Sequence, residues 1–139
     1  MRDARPGEII RLGGVEGTFV LPNPASEKLL LISAGSGVTP IMSMIASLAR
    51  SGAVGNVVHI HSARTADRVI FGERLRAVEA EHAGFDLHLR LTAEQGRIAP
   101  TDLDALCPDW RRTILRLAFP GGEARPKPGP YRAEQTPAL

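Results

Sequence analysis

Residues 29–52 read LLLISAGSGVTPIMSMIASLARSG, and this stretch decides the fold of the chain. The run from Lys28 to Ser33 is short and almost wholly apolar, which is typical of a strand buried on both faces. From Pro40, a residue suited to the first turn of a helix, apolar side chains recur on one helical face. These side chains are Ile41, Met44, Ile45, Leu48 and Ala49. The stretch therefore predicts a strand, a glycine-containing turn and a helix that ends before Gly52 and Gly55.

Three more strands are predicted downstream, over residues 56–62, 85–91 and 113–119. Helical segments separate them, so that strands and helices alternate along the chain. This order predicts an α/β fold, namely a doubly wound, open parallel sheet of about four strands with helices on both faces.

Two of the segments between the strands have patterns that predict the roles of individual side chains. The second helix is predicted over residues 66–82, and its inward positions are Val69, Ile70, Leu75 and Val78, with Phe71 as a further candidate. A short helix is predicted to end at Leu106, with Thr101 as its N-terminal cap.

Composition narrows the class of protein. The 139 residues correspond to one domain, and aromatic residues make up only 4%. From Arg111 onward there are six basic residues against two acidic ones, so the basic character lies in the tail. We therefore expect no nucleic-acid partner.

No apolar stretch reaches about 18 residues and no signal peptide is evident, so we expect no transmembrane segment and a cytoplasmic location.

Residues 35–40 form a turn that is able to hold an anion. Glycines allow close approach of the backbone, and the N-terminus of the following helix offers free N–H groups and a favourable dipole. The pattern here is G-x-G-x-x-P, whereas dinucleotide-binding dehydrogenases carry G-x-G-x-x-G. Because glycines also close strand-to-helix turns for geometric reasons alone, the turn leaves nucleotide binding and a purely structural role both open.

The end of the second strand adds a second indication. In doubly wound folds this point lies beside the nucleotide ribose, where an acidic residue binds the 2′-hydroxyl and an arginine accommodates a 2′-phosphate. The sequence has Ser62-Ala63-Arg64 there, with Arg68 following, and shows no acidic residue at the strand end. This favours NADP(H) over NAD(H), because a guanidinium offers several donors to a phosphate. The alternative is that Arg64 is simply one of fifteen arginines on the surface.

Other reactive side chains favour no additional chemistry. His59 and His61 lie on one face of a strand, but no third ligand has a recognisable spacing, so we expect no metal site. Cys107 is the single cysteine, which excludes an internal disulfide and a cysteine-ligated cluster within the chain. Trp110 is expected to be a packing residue.

Taken together, the segments GTFVLP, LLLISAGSGVTPIMSMIASL, VVHIHSARTADRVIFGERL and FDLHLRLT resemble the ferredoxin–NADP reductase-like flavoproteins over about residues 6–110. The oxygenase and desaturase reductases are the most similar kind. The resemblance implies a reductase that passes electrons from NADPH through FAD to an iron–sulfur or ferredoxin-type acceptor. It also implies that Thr39 lies near the nicotinamide and that Ser62 and Arg64 contact the 2′-phosphate. The predicted cofactor-binding residues are therefore Gly35, Ser36, Gly37, Val38, Thr39, Pro40, Ser62 and Arg64.

The chain also departs from the family pattern. The flavin-binding motifs R-x-Y-S/T and G-x-x-S/T belong upstream of this segment and are absent, so we expect FAD not to be held by this chain alone. The Cys-Gly-Pro motif of the family is expected near residues 115–122, where the sequence reads LRLAFPGG. The Pro- and Arg-rich composition after Arg111 is what a reading-frame change or a gene fragment produces, and sequencing the locus tests that hypothesis.

These departures give the predicted domain organisation. Residues 1–24 are a remnant of the FAD-binding barrel and its linker, residues 25–119 are an incomplete NAD(P)-binding domain, and residues 120–139 are a disordered tail. Two alternatives to a working reductase domain remain, a nucleotide-binding module without catalysis and a degenerate fragment without activity.

Overall fold

The computed structural model describes residues 28–118 and, before them, residues 5, 7, 9, 13, 14 and 17–21. Most of the predicted FAD-barrel remnant and the whole predicted tail over 120–139 therefore lie outside the described residues, as does Phe119, the last residue of the fourth predicted strand.

Four parallel strands form one sheet. They are β1 (Leu29–Ala34), β2 (Val57–Ala63), β3 (Phe85–Leu91) and β4 (Ile114–Ala118). Their order across the sheet is β3-β2-β1-β4, and every neighbouring pair is parallel. The predicted doubly wound parallel sheet is confirmed. Because β4 returns to the far side of β1, the strand order reverses at β1, where ligands bind in such sheets.

Four helices connect the strands. They are α1 (Val38–Arg50), α2 (Gly72–Glu81), α3 (Thr92–Gln95) and α4 (Pro100–Leu106). Single 3-10 turns span Gly35–Gly37, Ala66–Arg68 and Trp110–Arg112.

The sheet is covered on both faces because successive side chains of a strand point in opposite directions. On one face, Leu29 and Leu31 of β1 pack in a core that includes Ile45 of α1 and Leu75 of α2. On the other face, Leu30 and Ile32 pack with Val58, Ile60, Cys107 and Trp110, and Leu103 and Leu106 of α4 lie against them. The prediction that Trp110 is a packing residue is thereby confirmed, and its indole N–H donates to Asp104 Oδ1 at 2.8 Å.

The second helix is shorter than predicted. It begins at Gly72, because the backbone leaves the helical conformation at Val69 and Phe71 adopts a left-handed conformation with φ 59°. Such a residue interrupts a right-handed helix. Ile70 and Phe71 were predicted to point inward, and this is wrong, since they are 38% and 41% exposed.

The helix boundaries near two proline residues also differ from the prediction. Helix α1 begins two residues earlier, at Val38, so that Pro40 is its third residue. Thr101 does not cap α4 but lies inside it, after Ala99 and Pro100. The carboxylate of Asp102, inside the first turn, accepts a hydrogen bond from the N–H of Ala99, the residue before the helix, at 2.7 Å.

A close backbone approach joins the loop before β2 to the loop before β3. A Cβ atom on Gly84 would lie 2.0 Å from the carbonyl oxygen of Gly55, whereas a Cβ on Gly55 would meet nothing within 4 Å. The Gly84 carbonyl also accepts a hydrogen bond from the Val57 N–H at 3.2 Å, at the start of β2.

We expect Gly84→Ala to lower the free energy of unfolding by about 1–3 kcal/mol or more, because the new methyl group displaces the Gly55 backbone. Urea denaturation measures the loss. Gly55→Ala is the matched control and should leave the midpoint almost unchanged. Equal stability of the two variants would contradict the close approach.

Candidate functional site

The parallel register brings two loops to the same edge of the sheet. Ala34, the last residue of β1, pairs with Ser62 of β2. Gly35 and Arg64 therefore leave the sheet side by side, at the carboxyl ends of neighbouring strands. This edge is where ligands bind in open α/β sheets.

The glycine turn has a conformation that depends on Gly35. Its φ of 49° lies in the left-handed region, which glycine adopts without the steric cost that a side chain would bring. The chain then makes one 3-10 turn, and the Val38 N–H donates to the carbonyls of Gly35 and Ser36. Val38 itself is completely buried, so it anchors the turn in the core.

A cleft of about 1010 Å³ opens beside this turn. That volume lies at the upper end of the range of about 300–1,000 Å³ for small-molecule sites. The ends of β1 and β2 form its floor, and its walls come from the loop after β2, the segment after β3, and β4. The lining residues are Ile32, Ala34, Gly35, Ser62, Ala63, Arg64, Thr65, Asp67, Arg68, Ile70, Thr92, Arg97, Ile98 and Leu117.

The charges of the cleft are mainly positive. Three guanidinium groups, from Arg64, Arg68 and Arg97, line it together with one carboxylate, from Asp67. Asp67 Oδ2 lies 3.4 Å from Arg68 Nε, and both side chains are largely exposed. A hydrogen bond from the Thr65 side chain, helped by Arg68, holds the pKa of Asp67 below its usual value. The cleft is thus able to attract a polyanion. Asp67 is the one carboxylate acceptor among the three guanidinium donors.

The structure brings some of the predicted site residues together and not others. Gly35, Ser62 and Arg64 line the same cleft, although Gly35 is far from the other two in sequence. Ser36, Thr39 and Pro40 are exposed around the start of α1, outside the cleft lining. Gly37 and Val38 are buried in the turn.

Two charged residues of the cleft were missed from the sequence. The end of the second strand itself carries no acidic residue, but the turn over Ala66–Arg68 carries Asp67 into the cleft. Arg97 was not considered at all. The sequence feature that could have indicated Arg97 is its position a few residues after the third strand, because the carboxyl ends of all parallel strands meet at one edge of the sheet.

A polar cluster is buried just behind the cleft, on the face of the sheet that packs against α1. Ser33 Oγ lies 3.0 Å from His59 Nε2 and 2.8 Å from His61 Nδ1. None of the three residues is exposed. Removal from water lowers the pKa of His59 to about 3, with a smaller contribution from His61, and also lowers the pKa of His61. In the described part of the chain, no group of three or more His, Cys, Asp or Glu residues is arranged to hold a metal ion.

Cys107 lies in the core on the opposite face, next to an ion pair between Lys28 Nζ and Asp109 Oδ1 at 2.6 Å. Burial raises the pKa of its thiol, so the thiol is protonated at neutral pH and is a poor nucleophile.

Comparison with known proteins now identifies the class. Residues 31–102, just over half of the chain, match the family of oxidoreductase NAD-binding domains, and the chain belongs to that family. Its fold is the NAD(P)-binding domain fold of the ferredoxin–NADP reductase-like flavoproteins.

Several curated proteins are similar in sequence. An NADPH oxidoreductase of Mycobacterium tuberculosis is 48% identical over 118 residues, covering 85% of this chain and 31% of that protein. The ferredoxin reductase component of 3-ketosteroid-9-alpha-monooxygenase from Mycolicibacterium smegmatis is 39% identical over 80 residues, or 58% of this chain and 22% of that protein. The NADH oxidoreductase HCR of Escherichia coli is 40% identical over 75 residues, or 54% of this chain and 23% of that protein. The chain therefore spans less than a third of the length of these relatives.

Solved structures show the same fold at lower identity. A ferredoxin-NADP+ reductase from Plasmodium falciparum superposes with a TM-score of 0.60 at 15% identity, covering 75% of this chain and 47% of that chain. The Amycolatopsis cytochrome P450 reductase GcoB gives 0.56 at 23% identity, covering 75% of this chain and 33% of that chain.

None of the helices in residues 28–118, or in the shorter described stretches before them, has the length and apolar character needed to cross a membrane.

We expect the stability of the protein to fall with pH below about 6.5. Unfolded, His59 titrates near its ordinary value of 6.5, and in the folded protein near 3. Between these values the unfolded state binds more protons, so acid favours unfolding by up to about 1.4 kcal/mol per pH unit. Urea denaturation at about pH 7 and about pH 5 measures the slope, mostly above the range in which carboxylates titrate.

His59→Leu should weaken this dependence, because it removes one of the two buried imidazoles whose pKa is lowered on folding. Val54→Ala, a core change at the opposite edge of the sheet, is the control and should lower stability equally at both pH values. The same pH dependence in His59→Leu as in wild type would show that the burial of His59 is not its source.

Proposed function

We propose that this chain is the NADPH-binding portion of a flavin-dependent oxidoreductase that passes electrons through FAD to an iron–sulfur or ferredoxin-type acceptor. The observation that carries the proposal is the cleft at the carboxyl edge of β1 and β2, where Gly35, Ser62 and Arg64 meet. The proposal includes a cytoplasmic location, because NADP(H) serves reductive chemistry inside cells. It also includes residues 25–119 as the nucleotide-binding unit, preceded by the end of a flavin domain.

The chemistry of the lining supports a dinucleotide as the ligand. The glycine turn at the start of α1 suits the pyrophosphate, since backbone N–H groups and the helix dipole favour negative charge there. The adenosine half fits the cleft itself, where Ile70 and Ile98 supply apolar surface. Thr39, exposed in the first turn of α1, is then on the side toward the nicotinamide and its flavin partner.

The choice between NADP(H) and NAD(H) depends on opposing charges. Arg64, Arg68 and Arg97 favour a 2′-phosphate, while Asp67 disfavours it and suits a free 2′-hydroxyl. Three guanidinium groups outweigh one carboxylate that is already paired with Arg68. We therefore assign NADP(H), with Ser62 and Arg64 as the 2′-phosphate contacts.

The names of the relatives support the same assignment. The relative with 48% identity is an NADPH oxidoreductase, and the 39% identical relative is a ferredoxin reductase component of an oxygenase. Another relative, 40% identical, is an NADH oxidoreductase. The nucleotide preference therefore needs a direct test.

Within the proposed reaction, bound NADPH supplies a hydride that FAD accepts, and the cofactors carry this redox chemistry. The residues of this chain bind the nucleotide and orient it. The glycine turn fixes the pyrophosphate, the arginines fix the adenosine end, and the first turn of α1 directs the nicotinamide toward the flavin.

We expect NADP+ or 2′,5′-ADP to raise the melting temperature of the protein more than NAD+ or 5′-AMP does. A ligand that binds only the folded state stabilises it in proportion to its affinity. Arg64→Ala should reduce the difference, because it deletes one of the donors to the 2′-phosphate and leaves Arg68 and Arg97 in the cleft. Arg74→Ala, an exposed arginine of α2 that does not line the cleft, is the matched control. If Arg64→Ala keeps the full wild-type difference, the 2′-phosphate contact is assigned to the wrong residue.

Asp67→Asn tests the opposing charge. The change removes a negative charge from the cleft while keeping the size of the side chain, so it should increase the affinity for NADP+ relative to NAD+ by a few fold. Isothermal titration with both nucleotides measures the ratio. A ratio that moves toward NAD+ would show that Asp67 does not face the ribose.

We expect the purified chain to be colourless and to turn over no NADPH alone, since the flavin-binding R-x-Y-S/T motif does not occur in its 139 residues. An absorbance spectrum with and without NADPH, together with a dye-reduction assay, tests this. A yellow protein with bound FAD that reduces the dye would overturn the expectation. A chain that binds NADP+ and stays inactive when a flavin domain of a relative is added would instead support a nucleotide-binding module without catalysis.

A further inference from the structure

The cluster of Ser33, His59 and His61 lies directly beneath the proposed nucleotide site. Ser33 pairs with His61 across β1 and β2, and the next pair along the sheet is Ala34 with Ser62, which lines the cleft. The turn over Gly35–Gly37 contacts both strands. Ser33 and His61 thus each precede a residue that lines the cleft, namely Ala34 and Ser62. The cluster itself does not line the cleft.

The hydrogen bonds of this cluster are directional because Ser33 has a single hydroxyl proton. Its oxygen lies within hydrogen-bond distance of both imidazoles, so in neutral rings it donates to one nitrogen and accepts from the other. If Ser33 donates to His61 Nδ1, His59 Nε2 must carry a proton and donate to Ser33. The reverse arrangement exchanges both tautomers. The states of the two histidines are therefore coupled through β1.

Burying this polar cluster carries a cost in stability. Three polar residues are completely buried; the His59 ring lies 6.4 Å from the ring of Phe85, and Leu31 is its partner in the strand register. Among the residues that the structure describes, His59 Nδ1 and His61 Nε2 have no hydrogen-bond partner. Apolar side chains would avoid this cost. Buried polar contacts, however, are strong and orientation-dependent in a low dielectric, and so they fix one arrangement of the elements they join.

We propose that Ser33, His59 and His61 form a side-chain clamp that holds the carboxyl ends of β1 and β2 in the arrangement that the nucleotide requires. The clamp rests on the proposed function, because it positions the glycine turn relative to Ser62 and Arg64. Its members are positioning residues, since they lie behind the cleft and do not line it.

Ser33→Ala in the full chain tests the clamp, because it removes the shared hydroxyl and leaves both strands otherwise intact. Titration with NADP+ and with 2′,5′-ADP, at a temperature where the variant is folded, should show an affinity reduced by about three- to tenfold. Val54→Ala is the control, since it is a core change at the other edge of the sheet and should retain wild-type affinity. Unchanged affinity in Ser33→Ala, or an equal loss in Val54→Ala, would overturn the clamp.

A second measurement needs no variant and remains available if Ser33→Ala fails to fold. Long-range nitrogen–proton spectra of the imidazole rings report the tautomers of His59 and His61 in the wild-type chain. We expect one tautomer for each ring and a shift of their nitrogen resonances when NADP+ binds. Ring nitrogens that do not respond to bound NADP+ would refute the clamp while leaving nucleotide binding in place. A wild-type chain that binds neither NADP+ nor NAD+ would refute the proposed function and the clamp with it.

Discussion

The parallel register between β1 and β2 is the constraint on which the rest of the structure depends. It places Ala34 opposite Ser62, so that the glycine turn and the arginine-containing loop emerge together. A shift of β1 by one residue would turn Ser33 away from His59 and His61 and toward the apolar core of the other face, so the buried polar contacts help to maintain this register. The position of the cleft is therefore determined by packing within the sheet.

The sequence predicted the strands well because β1 and β2 are largely buried, while β3 alternates apolar and polar residues. Strand β3 has the predicted boundaries, Phe85–Leu91, and the others differ by only a residue or two at either end. The second helix was predicted less well. Its apolar spacing continues through Ile70 and Phe71, yet the left-handed backbone at Phe71 turns both side chains outward. A periodic pattern contains no information about one such backbone angle.

The candidate site was predictable to the extent that it follows from strand ends. Gly35, Ser62 and Arg64 follow or end strands, and the general rule for parallel sheets brings them together. Asp67 and Arg97 reach the cleft through the paths of irregular segments, which neither composition nor spacing determines. The buried pairing of Ser33 with two histidines also depends on register, which the sequence does not display.

The segment from Arg64 to Phe71 has a consequence for the evolution of proteins of this kind. It carries three of the four charged side chains of the cleft, and these are exposed outside the two cores. Substitutions there change the charge presented to a ligand without repacking a helix or strand. Under the proposed function, cofactor preference is thus separable from folding, so that natural selection or a protein engineer is free to exchange one dinucleotide for another largely through this loop.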